Sequence, residues 1–155
     1  ALEKRKRIQN VILALKEIKN PNFIFHIYGE GNYKKNIESL IKQQKLQKNV
    51  KLKGITNNPE DIYCDYDIFI LISEGEAFPI APLEAMSCGL SLIVSKEEPF
   101  DEIVSQDCGI LIDPKNQQQN TLFFNKLSKS FANKFGYSMT FKKFNCRKYY
   151  FHFFV

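Results

Sequence analysis

Metal-ligating side chains are scarce in this 155-residue chain. It has four cysteines, Cys64, Cys88, Cys108 and Cys146, with no C-x-x-C spacing, and two histidines, His26 and His152. That excludes the common zinc clusters and leaves reduced thiols acting as small apolar side chains. Long apolar runs are missing too. None approaches the roughly 18 to 20 residues of a membrane span, and charge dominates the first residues, where a signal peptide would be apolar. A soluble, cytoplasmic protein is the expectation, with peripheral contact at a membrane surface left open.

Acidic residues stop at Asp113. Up to that point 14 Lys and Arg face 17 Asp and Glu, a net −3, and beyond it eight Lys and Arg bring the chain to +5. The same last quarter holds 12 of the 21 Phe and Tyr residues, between Phe123 and Phe154. Residues 149–155, YYFHFFV, show neither a helical nor a two-residue period, so 135–155 is read as an irregular basic aromatic tail. Such a tail is either a degenerate or wrongly decoded terminus or a surface for single-stranded nucleic acid, which offers bases for stacking and phosphates for Lys and Arg. The first reading is preferred, and nucleic acid is not expected as a partner.

The length suits one domain with a buried core. Ile8, Val11, Ile12, Leu15 and Ile18 recur at helical spacing, predicting an amphipathic helix from about 4 to 19 that Asn20-Pro21-Asn22 stops. Phe23 to Tyr28 reads as a strand ended by Gly29-Glu30-Gly31, and Ile37, Leu40 and Ile41 mark a second helix. Val50 to Leu52, Asp67 to Ile72, Leu92 to Val94 and Gly109 to Ile112 read as further strands. Short helices are expected after Pro79 and over 101–104, and a longer one over about 121–134. Strands without polar alternation belong to parallel sheets covered by helices. The order predicts an α/β domain over 1–134 with a Rossmann-like doubly wound sheet, whose ligand site lies beyond the carboxyl ends of the strands.

One such end carries SEGEAFPIAPLEAMSCG, residues 73–89. Glu76 and Glu84 stand in an E-x7-E spacing, the first in a proline-broken loop and the second about one turn inside a helix. Helical side chains lean toward the N-terminus, so both carboxylates can face the helix mouth. Free amides there, those of Phe78, Ile80 and Ala81, attract phosphate, whereas Pro79 and Pro82 have none to offer. Carboxylates beside such a mouth suit sugar hydroxyls, which donate hydrogen bonds to them. Phosphate, ribose and hexose together describe a nucleotide sugar.

The stretch resembles the donor-binding, C-terminal half of retaining GT-B glycosyltransferases of the glycosyl transferases group 1 kind, whose hallmark is E-x7-E set in S-x-x-E-G-F-x-x-x-x-L-E-A-M-A-C-G. Ser73, Glu76, Phe78, Leu83, Glu84, Ala85, Met86, Cys88 and Gly89 match that pattern. Tyr28-Gly29-Glu30-Gly31, Asp67 to Leu71, Glu102-Ile103-Val104 and Gly109-Ile110-Leu111 are similar to its other segments, so the resemblance covers about 2–134. It implies one half of a GT-B fold in which Glu76 meets the transferred sugar as the catalytic residue and Glu84 binds the ribose hydroxyls. Phe78, Ile80 and Ala81 would present backbone amides to the donor, and Lys6 would neutralise the diphosphate. It further implies transfer of a hexose or N-acetylhexosamine, with retention, to a saccharide or lipid-linked acceptor, with no metal or cofactor.

Two departures matter. Ala1 stands where the family has an arginine, and the N-terminal domain that carries the acceptor is not in the sequence. The chain by itself is therefore expected to bind donor and not to transfer. The alternative is a truncated or decayed binding module that catalyses nothing. Glu74 is read as a solvated loop acid, and His26 as a core residue. Gly29-Glu30-Gly31 lacks the third glycine of a dinucleotide fingerprint, so it reads as a tight strand-to-helix turn.

Overall fold

The computed structural model describes residues 1–18, 23–58, 62–63, 65–76, 80–105, 108–132 and 149–154, with 127–132 and 149–154 as backbone only. Among the described residues six strands make one sheet: β1 (Phe23–Tyr28), β2 (Val50–Gly54), β3 (Ile68–Leu71), β4 (Ser91–Ser95), β5 (Gly109–Ile112) and β6 (Tyr149–Phe154), in the order β2-β1-β6-β3-β4-β5. Every pairing is parallel. β3, Ile-Phe-Ile-Leu, is buried at all four positions, as an unbroken aliphatic run in a covered parallel sheet should be. The expected doubly wound α/β architecture is therefore present.

Helices α1 (Ile8–Lys16), α2 (Lys34–Gln43), α3 (Ile80–Ser87), α4 (Phe100–Ile103) and α5 (Gln117–Ala132) connect the strands. α1 packs on α2 and α5, and α3 packs on β3 and β4. Ile8, Ile12 and Leu15 of α1 are wholly buried with Phe25, Phe69 and Phe124, which joins the helical layer to the sheet. α3 ends as its sequence predicts. Gly89 has φ +81°, its N–H reaches the Met86 carbonyl at 2.9 Å, and the Leu90 N–H reaches that of Ala85 at 3.0 Å.

The first helix does not run unbroken from residue 4. Lys4–Lys6 is a 3₁₀ turn, and Arg7, with φ 50°, separates it from α1. A left-handed residue ends helical hydrogen bonding at that point, which turns the Lys4–Arg7 run back toward the β3–α3 loop. Asn20-Pro21-Asn22 lies outside the described residues.

The tail differs from the irregular segment expected over 135–155. Its residues 149–154 form β6, paired from Phe23↔Tyr149 to Tyr28↔Phe154 on one side and from Ile68↔Phe151 to Ile70↔Phe153 on the other. Missing alternation does not argue against a strand inside a parallel sheet, and Phe and Tyr favour pleated backbone. Residues 133–148, with the boundary placed after 134, lie outside the described residues.

From β1 the chain winds to β2 on one side, and from β3 it winds through β4 to β5 on the other. The winding reverses where β6 separates β1 from β3, and the rule for such sheets puts a ligand beyond the carboxyl ends of these central strands. Gly109 sets how closely β5 approaches β4. A Cβ there would lie 2.7 Å from Val104 Cγ1, 2.8 Å from Leu92 Cβ and 2.9 Å from the Leu92 carbonyl oxygen. Gly109→Ala is expected to cost about 2 kcal/mol through overpacking, read as a lower urea midpoint at unchanged slope. An unchanged midpoint would show that β4 and β5 are not packed this tightly.

Candidate functional site

At the carboxyl end of β1 the Gly29-Glu30-Gly31 turn holds the first residues of the chain. The Leu2 N–H donates to the Glu30 carbonyl at 2.8 Å, and the Tyr33 N–H donates to the Leu2 carbonyl at 3.0 Å. Gly31 is glycine for a steric reason, since a Cβ there would lie 2.5 Å from the Leu2 carbonyl oxygen. Leu2 is wholly buried, and the Lys4–Lys6 turn follows it directly.

That turn grips the loop after β3. The Glu74 N–H donates to the Arg5 carbonyl at 3.0 Å, and the Arg7 Nε–H donates to Glu74 Oε1 at 3.0 Å. Glu74 is therefore not the solvated acid expected; about a quarter of its side chain is exposed and its charge is paired. At the back of the loop, the Ser73 N–H donates to Ser95 Oγ at 2.7 Å while the Ser95 hydroxyl donates to the Ser73 carbonyl at 2.6 Å. The loop is tied on one side to the N-terminal turn and on the other to the end of β4.

Lys6 and Glu76 meet inside this frame. Lys6 Nζ donates to Glu76 Oε1 at 2.6 Å, and their side chains are only 9% and 13% exposed. Arg5 Nη1 stands 3.4 Å from the same oxygen, and its Nε donates to Glu3 at 2.7 Å. Burial pushes the Glu76 carboxyl up, but the Lys6 hydrogen bond and the positive charges of Lys6 and Arg5 outweigh it and hold the group below the usual carboxylate range. Glu76 is thus a carboxylate at neutral pH.

Glu84 is the fifth residue of α3, and its Oε2 accepts a hydrogen bond from the Tyr63 hydroxyl at 2.9 Å. Ile80 and Ala81 open α3, where first-turn amides have no partner within the helix. Phe78 lies outside the described residues. The structure thus brings Lys6 and Glu76 into direct contact, places Ile80, Ala81 and Glu84 on the helix that follows the loop, and adds Arg5, Arg7, Glu74 and Tyr63, which sequence reasoning did not assign. The basic run Lys4-Arg5-Lys6-Arg7 was the available signal for the two arginines; for Tyr63 nothing in the local pattern pointed to Glu84.

His26 lies in β1 but is not the core residue expected. It is half-buried, its Nδ1 lies 2.6 Å from the Tyr66 hydroxyl, and burial, then Lys53 and Lys51, push its pKa down. Among the described residues no three His, Cys, Asp or Glu side chains group as metal ligands, and no helix is long and apolar enough to cross a membrane.

Residues 1–133 match the family model for glycosyl transferases group 1. The chain is 34% identical over 115 residues to the poly(ribitol-phosphate) alpha-N-acetylglucosaminyltransferase of Staphylococcus aureus, covering 72% of this chain and 23% of that enzyme. It is 32% identical over 115 residues to the Escherichia coli O-antigen biosynthesis glycosyltransferase WclY, covering 74% of this chain and 32% of that one. Among solved structures it is similar to a variant of S. aureus TarM in complex with fondaparinux, alpha-GlcNAc-glycerol and UDP, at TM-score 0.73 and 29% identity, over 83% of this chain and 27% of that one. The chain thus spans about a quarter to a third of the length of these relatives.

Proposed function

Because this chain belongs to the glycosyl transferases group 1 family, we propose that it is the donor-binding part of an enzyme that transfers a hexose or N-acetylhexosamine from a nucleoside-diphosphate sugar. The acceptor is a saccharide or a lipid-linked saccharide, carried by a further N-terminal domain of the GT-B type. Transfer proceeds with retention and without a metal. The observation that carries the reading is the Lys6–Glu76 pair, a buried ammonium and a carboxylate at the switch point, beside the start of α3.

The chemistry follows from charge. When the bond between sugar and diphosphate breaks, negative charge grows on the leaving phosphate oxygens. A fixed ammonium and helix amides that are already oriented stabilise that charge in the transition state, which supplies locally what a metal supplies elsewhere. Lys6 has three N–H donors, so one can stay on Glu76 while others meet phosphate. Glu76, kept ionised, accepts hydrogen bonds from sugar hydroxyls. Glu84 does the same for the ribose. UDP is the favoured nucleotide, because the TarM variant was solved with UDP; the S. aureus relative's name gives an alpha product, which is a retained configuration when the donor sugar is alpha-linked.

The reading is tested by thermal unfolding with UDP, GDP, ADP and their sugars, for the wild type and for Glu84→Ala. A ligand at about 100 times its dissociation constant adds roughly 2.7 kcal/mol of stability. One nucleotide series should give this shift, and Glu84→Ala should weaken its binding about 30-fold, the value of a charge-assisted hydrogen bond. Transfer by the full-length enzyme should survive EDTA. Absence of any shift, in a folded protein that includes its partner domain, would favour a non-catalytic binding module.

A further inference from the structure

Tyr63 is wholly buried just ahead of β3, with its ring tilted against Phe69 at a centroid distance of 6.1 Å. Its hydroxyl reaches across to α3 and donates to Glu84 Oε2 at 2.9 Å. A fully buried phenol placed on a carboxylate is more than packing, since phenylalanine would fill the same space without a hydroxyl to satisfy. Burial, then the Glu84 hydrogen bond and charge, push the phenol pKa up, so the O–H stays a donor through the neutral range.

Glu84 needs such a partner. A glutamate side chain on a helix has three rotatable bonds, and a ligand that must immobilise it loses affinity for each freedom removed. A carboxylate has about four acceptor positions, and Tyr63 occupies one, leaving the others for a ligand. We propose that Tyr63 is a positioning residue that pre-orients the Glu84 carboxylate for the ribose hydroxyls of the donor, and so sets the preference for ribonucleotide over deoxyribonucleotide. This rests on the ribose-binding role given to Glu84 above.

Calorimetric titration of the full-length protein with UDP, 2′-deoxy-UDP and 3′-deoxy-UDP tests it, using the wild type, Tyr63→Phe and Glu84→Gln. The wild type should bind UDP at least about tenfold more tightly than one of the deoxy analogues, the scale of a hydrogen bond to a charged group. In Tyr63→Phe that preference should fall roughly three- to tenfold, through weaker UDP binding, while affinity for the discriminated deoxy analogue stays within about twofold. Tyr63→Leu is read in the same way if Tyr63→Phe does not fold. A variant that loses affinity for UDP and the deoxy analogues equally, or keeps the full preference, overturns the positioning role, because a merely structural tyrosine would act on all three ligands alike. A wild type that does not discriminate, or a Glu84→Gln protein that discriminates as the wild type does, removes the ribose reading of Glu84 and the proposal with it.

Discussion

Lys6→Met should lower transfer by the full-length enzyme about 100- to 1000-fold and destabilise the fold by about 3 kcal/mol at pH 7. The two losses have different origins. Methionine keeps most of the packed stem and removes only the ammonium, which in the role proposed for Lys6 takes a preorganised positive charge from the transition state. The stability loss comes from Glu76, left 13% exposed without its 2.6 Å partner. Arg5, 3.4 Å away, 45% exposed and shared with Glu3, is a weak substitute.

The pH dependence separates this explanation from simple loss of packing. In the wild type the folded-state pKa of Glu76 lies below its ordinary value. Its contribution to stability is therefore fully present above the unfolded value, near 4.3, and is lost as pH falls through the lower folded value. With Lys6 gone, burial, already the largest influence on the group, is opposed by less, and the folded pKa rises from its wild-type value. Glu76 then contributes less stability at neutral pH than in the wild type, and the difference shrinks as the carboxyl is protonated in both proteins. Urea unfolding from pH 3.5 to 8 should show a gap between wild type and Lys6→Met that is wide at neutral pH and closes toward pH 4. A constant gap would mean that Glu76 is not the group left stranded. Lys6→Met with Glu76→Gln should regain stability, because neither buried charge remains, but not activity.

The strands β1, β3, β4 and β5 were legible because buried parallel strands are written as largely apolar runs, and β2 because Val50 and Leu52 alternate with lysines; glycines follow β1 and end β2. β6 was hidden by the same rule applied too narrowly. YYFHFF has no period, and neither has β3, so a missing period does not separate a covered parallel strand from irregular chain. The Glu76–Lys6 encounter crosses 70 positions of chain, and no local pattern encodes a contact of that range; only the resemblance linked the two residues. The left-handed Arg7 was invisible for a related reason. Arginine carries no turn propensity, and what holds it there is a guanidinium on Glu74, far away in sequence and close in the fold.

Gly31→Ala should be more damaging than Gly109→Ala, costing about 3 kcal/mol, the upper end for overpacking, and lowering the melting temperature by roughly 10 °C. The added Cβ would meet Leu2 at 2.5, 2.6 and 2.9 Å, at its carbonyl oxygen, nitrogen and carbonyl carbon. All three are backbone atoms, so no rotamer change gives room, and trimming the Leu2 side chain would not rescue the variant. Relief requires Leu2 to move, which breaks its hydrogen bonds to Glu30 and Tyr33 and carries the Lys4–Lys6 turn with it. The substitution should therefore also weaken UDP binding, at temperatures where the protein remains folded. Gly75→Ala makes the comparison. Its Cβ would meet nothing within 4 Å, and its cost, about 1 kcal/mol, comes only from a φ of +67°. Equal melting temperatures for the two variants would show that Leu2 is not strapped to the Gly29–Gly31 turn, and the Lys4–Lys6 turn would then owe its place to its contacts with Glu74 and Glu76.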